Sequence, residues 1–261
     1  MCFLHLLTIM LFKQICAGGY VVHKNSYVFI FAAVVTISCS LLLAAAANLL
    51  RDRQQENIAL DIRKNILASA GHGAQQGQEL TRKEILDLYD KYIRSMVINR
   101  VGEEVTGKTV EQIDPKKDLD LLPLYYSEKD GEIEAYIIPV SGKGLWSTIY
   151  GYLAFDKDMN TIKGITFYKH GETPGLGGEI EKTWFTDNFK GKQIHSPQGN
   201  LVSISVVKGK VAGLIAPEEA YHYVDGISGS TLTGRGVTNF LKNDLETYQP
   251  YFEKVRKERM E

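Results

Sequence analysis

The residues best placed to do chemistry lie between Asp225 and Gly236: Asp-Gly-Ile-Ser-Gly-Ser-Thr-Leu-Thr-Gly-Arg-Gly. Ser228, Ser230, Thr231 and Thr233 offer hydroxyls, and Gly226, Gly229, Gly234 and Gly236 let a bulky group approach the backbone. Directly afterwards Val237, Phe240, Leu241, Leu245 and Tyr248 recur at helical offsets. A flexible, hydroxyl-rich loop therefore feeds a helix N-terminus. Such an end favours a bound anion, because its unpaired N–H groups and the helix dipole point at it. Two further loops carry polar and glycine residues. One runs Ser141-Gly142-Lys143-Gly144-Leu145-Trp146; the other runs from His170 to Glu179 and contains Glu172, Thr173, Pro174, Gly175, Leu176 and Gly177.

Several kinds of site are excluded. The second loop has no Gly-Lys-Ser/Thr and is no P-loop, and Gly175 with Gly177 lacks the third glycine of a dinucleotide fingerprint. Ser228 is not in Gly-x-Ser-x-Gly, because position 230 is Ser. His72, His170, His195 and His222 show no metal-ligand spacing and read as structural or solvated. Cys2, Cys16 and Cys39 all precede the long polar region. That region therefore has no cysteine for a disulfide, a zinc site or an iron–sulfur cluster, and any redox chemistry there needs an organic cofactor. Each glycine loop, taken alone, has a plain turn as its alternative reading. Trp146 is either an apolar anchor at a loop end or an aromatic lid, and Lys143 reads as a surface charge.

The elements that hold these loops can be drawn from periodicity. Tyr27 to Leu50 is 24 residues without a charge. It would reach about 36 Å, more than the ~30 Å of a hydrocarbon core, and is expected to be a transmembrane helix. Met1 to Phe12 is too short to span, and Lys13 follows the apolar run instead of preceding it as in a signal peptide. Residues 1–26 are expected to be a leader, with the true start near Val21 or Val22. Glu56 to Ala70 reads as a helix ended by Gly71 and Gly73, within a helical linker over 51–74. Thr81-Arg82-Lys83-Glu84 is a capping box opening a helix that carries Ile85, Leu88, Tyr89, Tyr92, Met96 and Val97. Residues 102–130 give only weak strand signals.

Strands are expected over Ile133–Val140, Ser147–Phe155 and Thr161–Lys169, then a hairpin of Leu201–Val207 with Lys210–Ile215 turned at Lys208-Gly209. Consecutive hairpins predict an antiparallel sheet. The fold class is α+β: a transmembrane helix, then a domain over 75–261 with helices flanking the sheet. The net charge of the chain is −1, so no nucleic-acid footprint shows. Arg51, Arg53, Arg63 and Lys64 follow the span and Lys13 and Lys24 precede it, which leans weakly toward a cytoplasmic C-terminal side.

Asp225-Gly226-Ile227-Ser228-Gly229-Ser230-Thr231 resembles the flavinylation motif of the FMN-binding domain family, Asp-x-x-Ser/Thr-Gly-Ala-Thr/Ser, with Ser230 where Ala is usual. Glu172-Thr173-Pro174-Gly175-Leu176-Gly177 matches the second motif of that family, and Gly142-Lys143-Gly144-Leu145-Trp146-Ser147 resembles the flavin subunits of sodium-translocating NADH:quinone oxidoreductases. Rnf-type flavin subunits are the nearest alternative. The resemblance covers roughly Val22 onward. It implies FMN joined through its phosphate to Thr231 by a flavin transferase. It also implies a cofactor pocket drawn from Trp146, Glu172, Thr173, Gly175, Leu176, Gly177, Ser228, Gly229, Ser230, Leu232 and Thr233. The implied partners are the other subunits of a bacterial inner-membrane oxidoreductase and the membrane itself. The flavin domain is implied to be periplasmic, against the charge count. The implied role is electron carriage without a substrate site; a cofactor-free, membrane-anchored binding module is the alternative from another class. Asp225 either holds the transferase's metal or fixes the loop. If residues 229–233 are extended, Thr231 and Ser230 face opposite sides; Thr233 is expected to cap the helix.

Overall fold

The computed structural model describes residues 25–74, 78–114 and 117–258, so the leader expected over 1–26 lies almost wholly outside the described residues. The chain divides into two units, Met1–Gln55 and Glu56–Glu261. The first is, over its described part, a single stretch of helix α1 (Asn25–Ser69). It includes an 18-residue window of mean hydropathy 2.6 with no residue buried. By length and composition this helix can cross a membrane.

The second unit begins with the last turns of α1. The stretch expected as a helical linker over 51–74 is helical through Ser69, and its far end also supplies core: Ile66, Leu67 and Ala70 are buried. The capping box forms as expected, with the Thr81 amide donating to Glu84 Oε2 (2.8 Å) and the Glu84 amide to Thr81 Oγ1 (3.3 Å). Helix α2 (Arg82–Tyr92) is shorter than the expected helix, which included Met96 and Val97. Ile93–Asn99 is strand β1, not more helix. Ile93, Val97 and Ile98 gain burial by pairing with β2 (Leu121–Lys129), a contact no local period announces.

Strands β3 (Glu132–Lys143), β4 (Thr148–Asp156) and β5 (Ile162–Lys169) complete a five-stranded antiparallel meander in the order β1-β2-β3-β4-β5. Alternation along the strands sorts side chains to two faces. Tyr125, Ile137, Tyr152 and Ala154 meet Ile66, Leu67 and Ile85. Leu124, Ile138, Val140, Leu153 and Phe155 join the core of the opposite face, with Val237, Phe240, Leu241, Leu245 and Phe252 of the last helix, α4 (Thr231–Glu258). Between them lie short helix α3 (Thr183–Thr186), β6 (Ser205–Val206) and β7 (Tyr223–Val224). The hairpin expected over 201–215 does not form. Ser205 and Val206 pair in parallel with Tyr223 and Val224, and Lys210–Ile215 is a turn.

Candidate functional site

The three loops converge because of topology. Gly144–Ser147 is the turn of the β3–β4 hairpin, whose last pair is Lys143 with Thr148. Strand β5 ends beside the start of β4, Lys169 opposite Tyr150, and so delivers His170–Gly178 to the same end of the sheet. Helix α4 lies on β3 with its first turns there. A Cβ on Gly236 would sit 2.5 Å from the Lys143 carbonyl and 3.1 Å from Gly144 Cα. Gly234 and Gly236, expected in a flexible loop, are thus helical residues that let backbones approach.

Glu172 fastens the loops together. Its buried carboxylate accepts from the amides of Trp146 (2.9 Å), Leu145 (3.2 Å) and Ser147 (3.2 Å), and from the Thr233 hydroxyl (2.7 Å). Burial pushes the carboxyl up, but the Thr233 hydroxyl and the three amides outweigh it and hold Glu172 below the usual carboxylate range. Gly177 has no room for a side chain: its Cβ would lie 2.6 Å from Thr233 Oγ1 and 2.9 Å from Glu172 Oε2. Thr233 does not cap the helix with its oxygen as expected; it donates to Glu172 instead, because the helix already begins at Thr231.

The Thr173–Leu176 stretch is a turn closed by the Leu176 amide on the Thr173 carbonyl (3.1 Å). Pro174 and Gly175 occupy its two central positions, and Gly175 has φ +74°, as a type II turn requires. The turn lifts Leu176 outward, 43% exposed, over Gly229; a Cβ on Gly229 would lie 2.9 Å from Leu176 Cδ2. Trp146 is 70% exposed and Leu232 52%. Neither Trp146 nor Leu176 plugs the core. Leu145, also exposed, adds to this apolar surface, and nothing in its sequence neighbourhood marks it apart from the motif around it.

Thr231 is the first residue of α4 and is exposed, whereas Ser230 is 4% exposed with a hydroxyl that has no hydrogen-bond partner among the described residues. Because the helix begins at Thr231, residues 229–233 do not alternate as an extended segment would. Burial, not strand register, separates the two hydroxyls. Ser228 is exposed in the preceding turn. Asp225 accepts from the Val211 amide (2.8 Å) and pairs with Lys210 (3.1 Å); that amide above all, and Lys210 with it, keep its carboxyl below the ordinary range. It fixes the loop at Lys210-Val211.

Residues 144–246 match the family model for the FMN-binding domain. The chain is 38% identical to NqrC, the C subunit of the Na(+)-translocating NADH-quinone reductase, of Pseudomonas aeruginosa, over 80% of this chain and 87% of that one. The chain belongs to the NqrC family. It is 34% identical to the corresponding protein of Vibrio alginolyticus, covering 85% of this chain and 91% of that relative. Its fold is similar to the crystal structure of the Parabacteroides distasonis relative, with a TM-score of 0.67, 36% identity and coverage of 78% of this chain and 96% of that one. It is likewise similar to Shewanella oneidensis NqrC, with a TM-score of 0.63, 30% identity and coverage of 76% and 97%.

This member of the NqrC family carries an ionisable group where α4 meets the hairpin. Asp244 accepts from the Ser141 amide (2.8 Å), and burial pushes its carboxyl up to about 7, against the pull of that hydrogen bond. An unfolded aspartate has a pKa of about 3.9. Between roughly pH 4 and 7 the folded chain therefore holds a proton that the unfolded chain has released, and stability falls as pH rises through that window. Asp244→Asn keeps an acceptor for Ser141 and removes the charge. The variant is expected to be more stable than the native chain at pH 8 and to show a flatter melting temperature between pH 4 and 7. An unaltered pH slope would remove Asp244 from the account.

Proposed function

We propose that this chain is the flavin-carrying electron-transfer subunit of a Na(+)-translocating NADH-quinone reductase, with FMN joined through its phosphate to Thr231. One observation carries the reading: a solvent-exposed hydroxyl at the start of a 28-residue helix, beside exposed Leu176 and Leu232, with the neighbouring Ser230 buried. The residues fit the group. Thr231 offers an oxygen for a phosphoester, and the apolar side chains at this end of the sheet suit a flat ring. FMN, when bound, supplies redox chemistry that no side chain here can. The chain's own residues would hold and orient it: Leu176 and Trp146 offer the exposed apolar surface for the ring, and Glu172 keeps their loops together. Thr173, Gly175 and Gly177 shape the turn that presents Leu176. Its partners are the other subunits of the complex and, during maturation, a flavin transferase.

Unfolding the purified chain tests the covalent carrier against a cofactor-free binding module. A covalent carrier stays yellow when denatured and dialysed. Loss of the colour would overturn the attachment. Co-purification with the subunits of a Na(+)-translocating reductase, and not of an Rnf-type complex, tests the assembly.

Residues 27–50 anchor the chain in the membrane. A chain starting at Glu56 is expected to run as a monodisperse soluble species without detergent, because the core residues of α1 all follow that point. Persistent dependence on detergent would defeat a single anchor. The flavin unit lies on the periplasmic side; long domains translocate largely regardless of flanking charge. A reporter fused after Glu261 and active only in the cytoplasm would reverse this orientation.

A further inference from the structure

Three consecutive amides, those of Leu145, Trp146 and Ser147, converge on one anion. Such a nest is a ready-made phosphate or carboxylate site. Here it is filled from within. The anion is the carboxylate of Glu172, which also takes the hydroxyl of Thr233 in the first turn of α4. It is 5% exposed, and among the described residues no lysine, arginine or histidine side chain forms an ion pair with it. Gly144 and Gly177 leave no space around it, since a Cβ at either would approach a Glu172 oxygen to 2.7 or 2.9 Å.

We propose that Glu172 is a specificity-determining residue: its charge, which no described cation pairs with, lies against the Thr233 hydroxyl in the first turn of α4, so that the site does not hold flavin through a free phosphate. A bare FMN phosphate carries close to two negative charges near neutral pH. A phosphodiester to Thr231 carries one. The internal carboxylate repels the first more than the second, and the nest has no donors left to give. Retention of the flavin then comes from the bond to Thr231 and from ring contacts with Leu176 and Trp146, while the phosphate adds nothing to affinity. This rests on the reading that the flavin sits at this end of the sheet, but not on which hydroxyl carries it.

The full-length chain, made in a host without a flavin transferase, is titrated separately with riboflavin and with FMN, following flavin fluorescence. The native chain is expected to bind the two within about twofold of each other. Glu172→Gln, which keeps an acceptor in the nest but removes the charge, is expected to favour FMN over riboflavin by roughly five- to tenfold, the scale of a one-charge change near a helix end. Thr233→Val removes a donor and keeps the charge, and is expected to leave the ratio at the native value. A native chain that already prefers FMN tenfold or more overturns the proposal, and this result stands even if Glu172→Gln fails to fold. So does a folded Glu172→Gln chain, by circular dichroism and melting, with an unchanged ratio. Failure of both flavins to bind any variant overturns the ring contacts with Leu176 and Trp146, and the proposal with them.

Discussion

Thr231→Ala is expected to abolish the proposed covalent flavin and to leave the fold standing. The effect is all-or-none because an alanine has no oxygen with which to form a phosphoester. Competing acceptors are poorly disposed to replace it. Ser230 is buried, with its hydroxyl out of solvent, so a transferase would have to unwind the start of α4 to reach it. Thr233 is buried and its hydroxyl is committed to Glu172. Ser228 is exposed, but it precedes the helix in the turn that Gly229 closes with φ +74°. Stability should hardly change, since an exposed side chain of this kind usually contributes within about 0.5 kcal/mol. Thr231→Ser keeps the oxygen and is expected to retain the flavin. Mass spectrometry of the peptide around residue 231 reads the result. An FMN adduct on Ser230, or one that survives Thr231→Ala, would end the assignment.

The sequence made some of this legible and hid the rest for identifiable reasons. The capping box at Thr81 and strands β3 to β5 declare themselves locally, through fixed spacing and period-2 burial, and they appear where expected. The β1–β2 pair does not. Ile93, Val97 and Ile98 also fit a helical continuation of α2, and only pairing with Leu121–Lys129 decides for strand. The parallel bridge of Ser205–Val206 to Tyr223–Val224 joins segments well separated in the chain, so an adjacent-hairpin reading of 201–215 had no local sign against it. At the site, the motif residues were visible by type, but their division of labour was not. Gly234 and Gly236 look like loop residues because glycine weakens a helix by about 1 kcal/mol. Within α4 they instead admit Val206 and the end of β3. Glu172 is an acid in a glycine loop by sequence and a buried fastener in space, a role set by amides 25 to 27 residues away.

The second large effect is expected at Gly226, and it separates two explanations of the glycine that follows Asp225. One holds that Gly226 leaves the chain open to the transferase. The other is packing. A Cβ there would collide with the Val207 carbonyl oxygen and lie 3.2 Å from the Gly209 amide nitrogen, both backbone atoms that no rotamer change can move. The Gly226 amide donates to the Gly209 carbonyl (2.7 Å), and next to it Asp225 holds the Val211 amide (2.8 Å), so the strap before α4 and the 207–211 segment are bound along their length. Gly226→Ala must push these two backbones apart. Overpacking of this kind costs about 1–3 kcal/mol, and each kcal/mol lowers the melting temperature by roughly 2–4 °C for a domain of this size. The displaced strap carries Thr231 with it, so the flavin content should fall together with the melting temperature. Gly229→Ala gives the contrast. Its positive φ costs about 1–2 kcal/mol, but its nearest obstacle is Leu176 Cδ2, the movable end of a side chain on the exposed surface. That variant should keep the 207–211 contact while disturbing the Leu176 surface, and so alter the flavin spectrum more than Gly226→Ala does in whatever fraction remains loaded. A Gly226→Ala chain that melts like the native protein yet carries no flavin would assign this glycine to the transferase and not to the packing of the strap.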